Sequence, residues 1–216
     1  MSRPHADHVS EDEELQRILP IVQLILDTFP KTLLSIDTFR ARVAKYCIEA
    51  GAALINDISA GHLDKNMIQT IAHLHVPYIM MHMRGNPKTM QQLTKYNDLI
   101  KDLLFYFSER MAAAKALGIV DIIIDPGFGF AKTLEQNFEL LNQLELFQII
   151  DKPLLVGISR KSMIYKTLKI NAKAALNGTS VLNTVALQKG ASILRVHDVK
   201  EAMECIRLVE ALKIKN

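Results

Sequence analysis

No apolar run in these 216 residues approaches the roughly 18 consecutive residues that a membrane-spanning helix needs, so no bilayer partner is expected. Cysteine is scarce. Cys47 and Cys205 are the two present, each within a helical pattern, with no C-x-x-C pair and no zinc-ligand spacing. That excludes a disulfide scaffold and reads as a reduced, cytoplasmic protein. A large excess of one charge is also lacking. Lys and Arg total 26 against 23 Asp and Glu, a net +3 spread along the chain. This is too mild to imply nucleic-acid binding, though it suits an anionic small substrate. Low-complexity tracts and linkers are missing as well. Residues 1–216 therefore read as one domain, with 49% hydrophobic residues to form a sizeable core.

What is present is a repeated alternation. Ser10 followed by Glu13 forms a capping box. Leu15, Ile18, Leu19, Val22, Ile25, Leu26 and Phe29 then fall at helical spacing, with Pro20 expected to kink that helix or to cost it stability. Six short apolar runs follow: "TLLSID" at 32–37, "ALINDI" at 53–58, "YIMMH" at 78–82, "DIIID" at 121–125, "LLVGI" at 154–158 and "SILRV" at 192–196. Each is continuous rather than alternating, as in strands buried on both faces of a parallel sheet. Each is followed by a helical pattern. The clearest runs over 97–117 and is closed by Gly118. Strand and helix in strict alternation predict an α/β fold.

Ligand positions separate the two main α/β architectures. A doubly wound sheet gathers its site at one switch point, whereas a barrel rings one mouth with all of its strand ends. Here every run ends in, or is closely followed by, polar residues: Asp37, Asn56 with Asp57, His82, Asp125, Ser159 to Lys161, and Arg195 with His197. A polar residue at one strand end is cheap and needs no explanation. Asn56 and Asp57 interrupt an apolar run, which that reading explains poorly. The pattern predicts a (β/α)8 TIM barrel. Such a barrel needs eight strands and about 250 residues; six runs are present and the chain opens with a helix. The expectation is an incomplete barrel, truncated at its N-terminus by one strand–helix unit and one further strand. Its edges near "TLLSID" and "SILRV" are expected to be unpaired.

Six motifs stand at these strand ends in order: "LLSIDT", "LINDIS", "MHMRGNPKTM", "DPGFGF", "VGISRKSM" and "ILRVHDVKEA". Together they resemble the dihydropteroate synthase family, folate-pathway enzymes inhibited by sulfonamides. The resemblance covers the whole chain and implies the same barrel. It implies condensation of 6-hydroxymethyl-7,8-dihydropterin diphosphate with p-aminobenzoate, giving 7,8-dihydropteroate and pyrophosphate. It further implies Mg²⁺ as cofactor and a homodimer.

By that resemblance Asp37, Asn56, Asp125, Lys161 and Arg195 hold the pterin. Ser2, Arg3, Phe130, Ser162 and His197 serve the diphosphate and p-aminobenzoate. Lys161, Arg195 and His197 carry the chemistry. A carboxylate can accept two donors of the pterin edge at once, and an amide offers both a donor and an acceptor. A guanidinium can stack on a flat ring and also bind phosphate. Plainer readings stand beside these. Asp37 can cap a helix starting near Phe39, Asp125 can be a turn aspartate before Pro126, and Phe130 can pack beneath its own loop. The family's asparagine that helps to bind the metal and diphosphate has no counterpart here, so no metal ligand is assigned. Two other readings remain: a non-catalytic pterin-binding fragment, and a folate-dependent methyltransferase. "SRKSM" argues against the latter, since it suits a p-aminobenzoate site.

Overall fold

The computed structural model describes residues 9–212; Ser2 and Arg3 lie outside them. The first element is the capped helix α1 (Glu11–Thr28). Ser10 Oγ accepts from the Glu13 amide, and Glu11, Asp12, Glu13 and Glu14 fill the first turn, where the helix dipole favours negative charge. Pro20 lies inside α1 without interrupting it. Burial of Leu15 and Val22 against the rest of the fold outweighs the donor that proline removes.

Strand and helix then alternate as predicted. The elements are β1 (Ser35–Asp37), α2 (Ala41–Glu49), β2 (Leu54–Asp57), α3 (Met67–Leu74), β3 (Tyr78–Met81), α4 (Leu99–Ala116), β4 (Ile122–Asp125) and α5 (Leu134–Asn142). They are followed by β5 (Leu155–Val156), α6 (Ser162–Thr167), α7 (Leu176–Gln188), β6 (Ile193–Leu194) and α8 (Val199–Leu212). The strands are parallel and pair in chain order. β1 to β4 form one ladder and β5–β6 another. An Ile124–Leu154 bridge, with the Ile124 N–H donating to Pro153 O at 2.9 Å, joins the two. The strands are shorter than the apolar runs that predict them, although single hydrogen bonds carry the ladders further. Thr38 N–H donates to Asn56 O, His82 N–H to Asp125 O, and Arg195 N–H to Val156 O.

The result is an incomplete (β/α)8 barrel. Among the described residues β1 pairs with β2 alone and β6 with β5 alone. The sheet nevertheless keeps the curvature of a barrel wall: Arg195, just past β6, reaches to 4.0 Å from Asp37 at the end of β1. A cavity of about 290 Å³ lies on the inner face between these two edges, lined by Ser35, Leu54, Ile79, Leu155 and Ile193 among others. The main core lies between sheet and helices, with Val43, Cys47, Ile71, Leu103, Phe107 and Leu140 fully or almost fully buried. A smaller cluster of Ile58, Met81, Met83, Met90 and Ala131 supports the mouth loops, with Phe39 and Phe130 packed against it.

Candidate active site

The strand register brings the predicted residues to the same end of the sheet, with Asp125 two residues further along than Asp37 and Asn56. Asp37 stands opposite Asn56, and Met81 opposite Asp125. A mouth cavity of about 990 Å³ opens at these strand ends, lined by Asp37, Phe128 to Phe130, Lys132, Ser159 to Ser162, Arg195 and His197. Asn56 lines the adjoining inner cavity, which shares Asp37 and Arg195 with the mouth.

Asp125 is 1% exposed and uses its two oxygens differently. Oδ1 accepts from the Gly127 amide at 2.8 Å, which fixes the turn after β4. Oδ2 has no hydrogen-bond partner and lies 3.7 Å from Arg195 Nη2. The turn reading of this residue is realised by Oδ1, and Oδ2 stays open to the ligand reading. Asn56, 3% exposed, has no partner for either Oδ1 or Nδ2. Buried polar atoms left unpaired are costly, so such an amide suits a site that a polar ligand completes.

Asp57, adjacent to Asn56 at the same strand end, has a different task. Its Oδ1 accepts from the Ser59 amide and hydroxyl, both at 2.8 Å. Its Oδ2 accepts from the Gly61 amide and the Tyr78 hydroxyl, both at 2.6 Å. Burial pushes its carboxyl above the usual range while these bonds oppose the shift. Asp57 therefore holds the turn that presents Asn56. The capping alternative for Asp37 is not what the chain adopts. α2 begins at Ala41 with Arg40 at the cap, and Asp64 Oδ2 accepts the Ala41 amide at 2.8 Å.

Lys161 precedes α6, and its Nζ donates to the Phe128 carbonyl. Nζ also lies 5.0 Å from the centre of the Phe130 ring. Desolvation pulls its pKa down to about 8; Asp125 opposes this and Arg195 reinforces it. Ser162 does open a helix, although α6 has only 6 residues and so a short stack of aligned peptides. One expectation needs correction. The run at 192–196 predicts a strand through Val196, but β6 ends at Leu194, so both Arg195 and His197 lie past it. The chain turns off the ladder where the His197 amide donates to Ser159 Oγ at 3.2 Å, and that hydroxyl also lies 2.8 Å from His197 Nδ1. The β5 loop, not strand geometry, positions the imidazole.

A profile of pterin binding enzymes matches residues 1–197. The chain belongs to this family. It is 42% identical over 212 residues to the dihydropteroate synthase of Escherichia coli strain K12, covering 97% of this chain and 74% of that one. The fold matches the Yersinia pestis dihydropteroate synthase solved with a sulfonamide drug, with a TM-score of 0.94 and 39% identity over 99% of this chain and 78% of the other. It also matches that enzyme with a pterine-sulfa conjugate, with a TM-score of 0.90 and 37% identity over 97% and 79%.

The structure of this pterin-binding family member adds residues that the sequence reading passed over. Phe128 is fully buried at the mouth and lends its carbonyl to Lys161. Lys132 and His82 form a buried pair beneath the β4 loop. Ile79 is the β3 side chain that lines the inner cavity, while Met80 and Met81 are buried in the two core clusters. Alternation along β3 carries the signal for Ile79. No local pattern marks Lys132, since two of its partners are backbone carbonyls of its own loop and the third, His82, comes from another segment.

Proposed function

We propose that this chain condenses 6-hydroxymethyl-7,8-dihydropterin diphosphate with p-aminobenzoate, forming 7,8-dihydropteroate and pyrophosphate in folate biosynthesis. One observation carries this reading. A buried amide and a buried carboxylate oxygen, Asn56 and Asp125 Oδ2, lack hydrogen-bond partners near Arg195, which lines the inner cavity with Asn56 and the mouth with Lys161. A flat ring with donors and acceptors along its edge supplies what they lack, and the relatives solved with a sulfonamide and a pterine-sulfa conjugate favour that ligand class.

The chemistry then follows from the groups present. Asp125 and Asn56 orient the pterin edge, and Lys161 offers its ammonium beside them. The bond between the pterin methylene and the diphosphate oxygen breaks, and pyrophosphate leaves with that electron pair. The nitrogen of p-aminobenzoate forms the new bond to the methylene and then releases a proton. The protein's share is positioning and stabilisation of the departing negative charge. Arg195 and His197 supply that stabilisation. Phe130 and Ser162 stand where the second substrate enters. Mg²⁺ is the expected counter-ion of the diphosphate, where it would add charge neutralisation. Among the described residues no cluster of 3 or more His, Cys, Asp or Glu side chains is placed to hold a cation. These residues therefore do not fit a protein cage for Mg²⁺, and no step here is routed through the ion.

The same reading includes a single domain, supported by a main core that runs from Leu15 to Ala191. It includes a homodimer, for which exposed Val181, Met203 and Leu208 on α7 and α8 offer apolar surface. It includes a cytoplasmic setting; no described helix is long and apolar enough to cross a membrane. The deciding experiment mixes the chain with pterin diphosphate, p-aminobenzoate and Mg²⁺ and follows pyrophosphate release. Release that requires the amine supports the enzyme. Pterin binding in calorimetry without release points to the non-catalytic pterin binder, and absence of both overturns the reading.

A further inference from the structure

Lys132 is 4% exposed and has no part in the chemistry above. Its surroundings are specific. An ammonium has three N–H donors and no acceptor. The acceptors at Lys132 Nζ are His82 Nδ1 at 3.2 Å, Gly127 O at 3.0 Å and Phe130 O at 3.1 Å. A neutral amine would leave one of them without a donor. Asp125 favours the charge, while burial, Lys161 and Arg84 oppose it.

His82, 2% exposed, follows β3. Burial and the neighbouring Lys132 hold it well below the usual histidine range, so it is a neutral imidazole that can accept at Nδ1. The Tyr106 ring meets it edge-on at 4.8 Å, and the Tyr106 hydroxyl donates to Ser59 O and Met81 O. Gly127 is pressed onto the same place. Its φ is +73°, and a Cβ there would lie 2.1 Å from His82 O. Lys132 thus ties the loop after β4 to the end of β3. From the opposite side Lys161 grips the Phe128 carbonyl of that loop and faces the Phe130 ring.

We propose that Lys132 is a positioning residue for the condensation. Together with His82 it locks the Gly127–Phe130 loop in the shape that sets the Phe130 wall on the p-aminobenzoate side. This inference rests on the functional reading above. It separates the two substrates: the pterin edge meets Asn56 and Asp125 Oδ2, which Lys132 does not hold, whereas the amine side meets the locked loop.

The test is steady-state kinetics in each substrate for Lys132→Met, paired with amide hydrogen exchange by mass spectrometry. Lys132→Met is expected to raise the KM for p-aminobenzoate about tenfold, the scale of a misplaced wall, with the KM for pterin diphosphate nearly unchanged. Exchange should quicken in residues 127–131 and stay as it was elsewhere. Lys132→Arg keeps charge and bulk but presents a planar fork to acceptors arranged for a tripod. It should show the same split in weaker form, and it serves if Lys132→Met does not fold. Equal rises in both KM values, unchanged kinetics in both variants, or exchange that quickens throughout the barrel would each overturn the proposal. If the unmodified chain releases no pyrophosphate, it is the functional reading that fails, and exchange in residues 127–131 alone then decides whether Lys132 locks the loop.

Discussion

Asp125 shows how a single side chain can put its two oxygens to different uses. Oδ1 serves the backbone turn, while Oδ2 makes no hydrogen bond, lies 3.7 Å from Arg195 and is the oxygen proposed to meet the pterin. The two roles separate by mutation. Asp125→Asn retains an oxygen for the Gly127 amide but gives up the charge. It is expected to fold as the parent does and to lose about 10- to 100-fold in pterin affinity, the worth of a charged hydrogen bond. Asp125→Ala loses both roles, and calorimetry should find no pterin binding. Parent-like affinity in either variant would remove Asp125 from the site. Gly127→Ala is a separate matter of space and backbone conformation. With φ at +73° and His82 O in the way of a Cβ, it should destabilise the fold by about 2–4 kcal/mol in urea melts. At this scale the sequence was informative about residue types and silent about division of labour. "DPGFGF" marked Asp125 as a ligand or a turn residue, and only coordinates show that the turn uses one oxygen and leaves the other without a hydrogen bond.

The turn after β2 is the clearest element built around one buried group. Asp57 accepts from Ser59, Gly61 and Tyr78, so removing its carboxylate leaves several donors without an acceptor. Asp57→Ala should cost about 3 kcal/mol or more, and Tyr78→Phe about 1–2 kcal/mol, each measured by chemical denaturation. Because Asn56 rides on the same turn, Tyr78→Phe should also weaken pterin binding without touching the ligand. The alternation of elements was legible because buried parallel strands are apolar on both faces and need no subtle pattern. Their ends were less so. "SILRV" reads as one strand through Val196, yet β6 stops at Leu194 because the Ser159 hydroxyl takes up the His197 amide. That contact joins two segments distant in the chain, which periodicity within one segment cannot register. Lys132 escaped in part for the same reason, since its side-chain partner His82 stands on another segment.

Over the whole molecule, two cations near the mouth leave a signature in the pH dependence of stability. Burial lowers Lys132 to about 7 and Lys161 to about 8, against an ordinary 10.5. The folded chain then binds fewer protons than the unfolded chain above pH 7, so these groups make stability rise with pH from there towards the unfolded value. Lys132→Met should flatten that rise between about pH 7 and about pH 10 in denaturant titrations, and an unchanged slope would count against a depressed lysine. The barrel itself was readable from polar residues at every strand end. How tightly it curls was not; that shows only in the contact of Arg195, past the last strand, with Asp37 at the end of the first. That contact has a consequence in time. Each strand pairs with its sequence neighbour, so the wall can grow unit by unit at little loop-closure cost. Asp37 and Arg195 meet only after the sixth strand has docked. Partly assembled chains, however much sheet they hold, present no complete site, and a pterin in solution will capture and stabilise finished molecules alone.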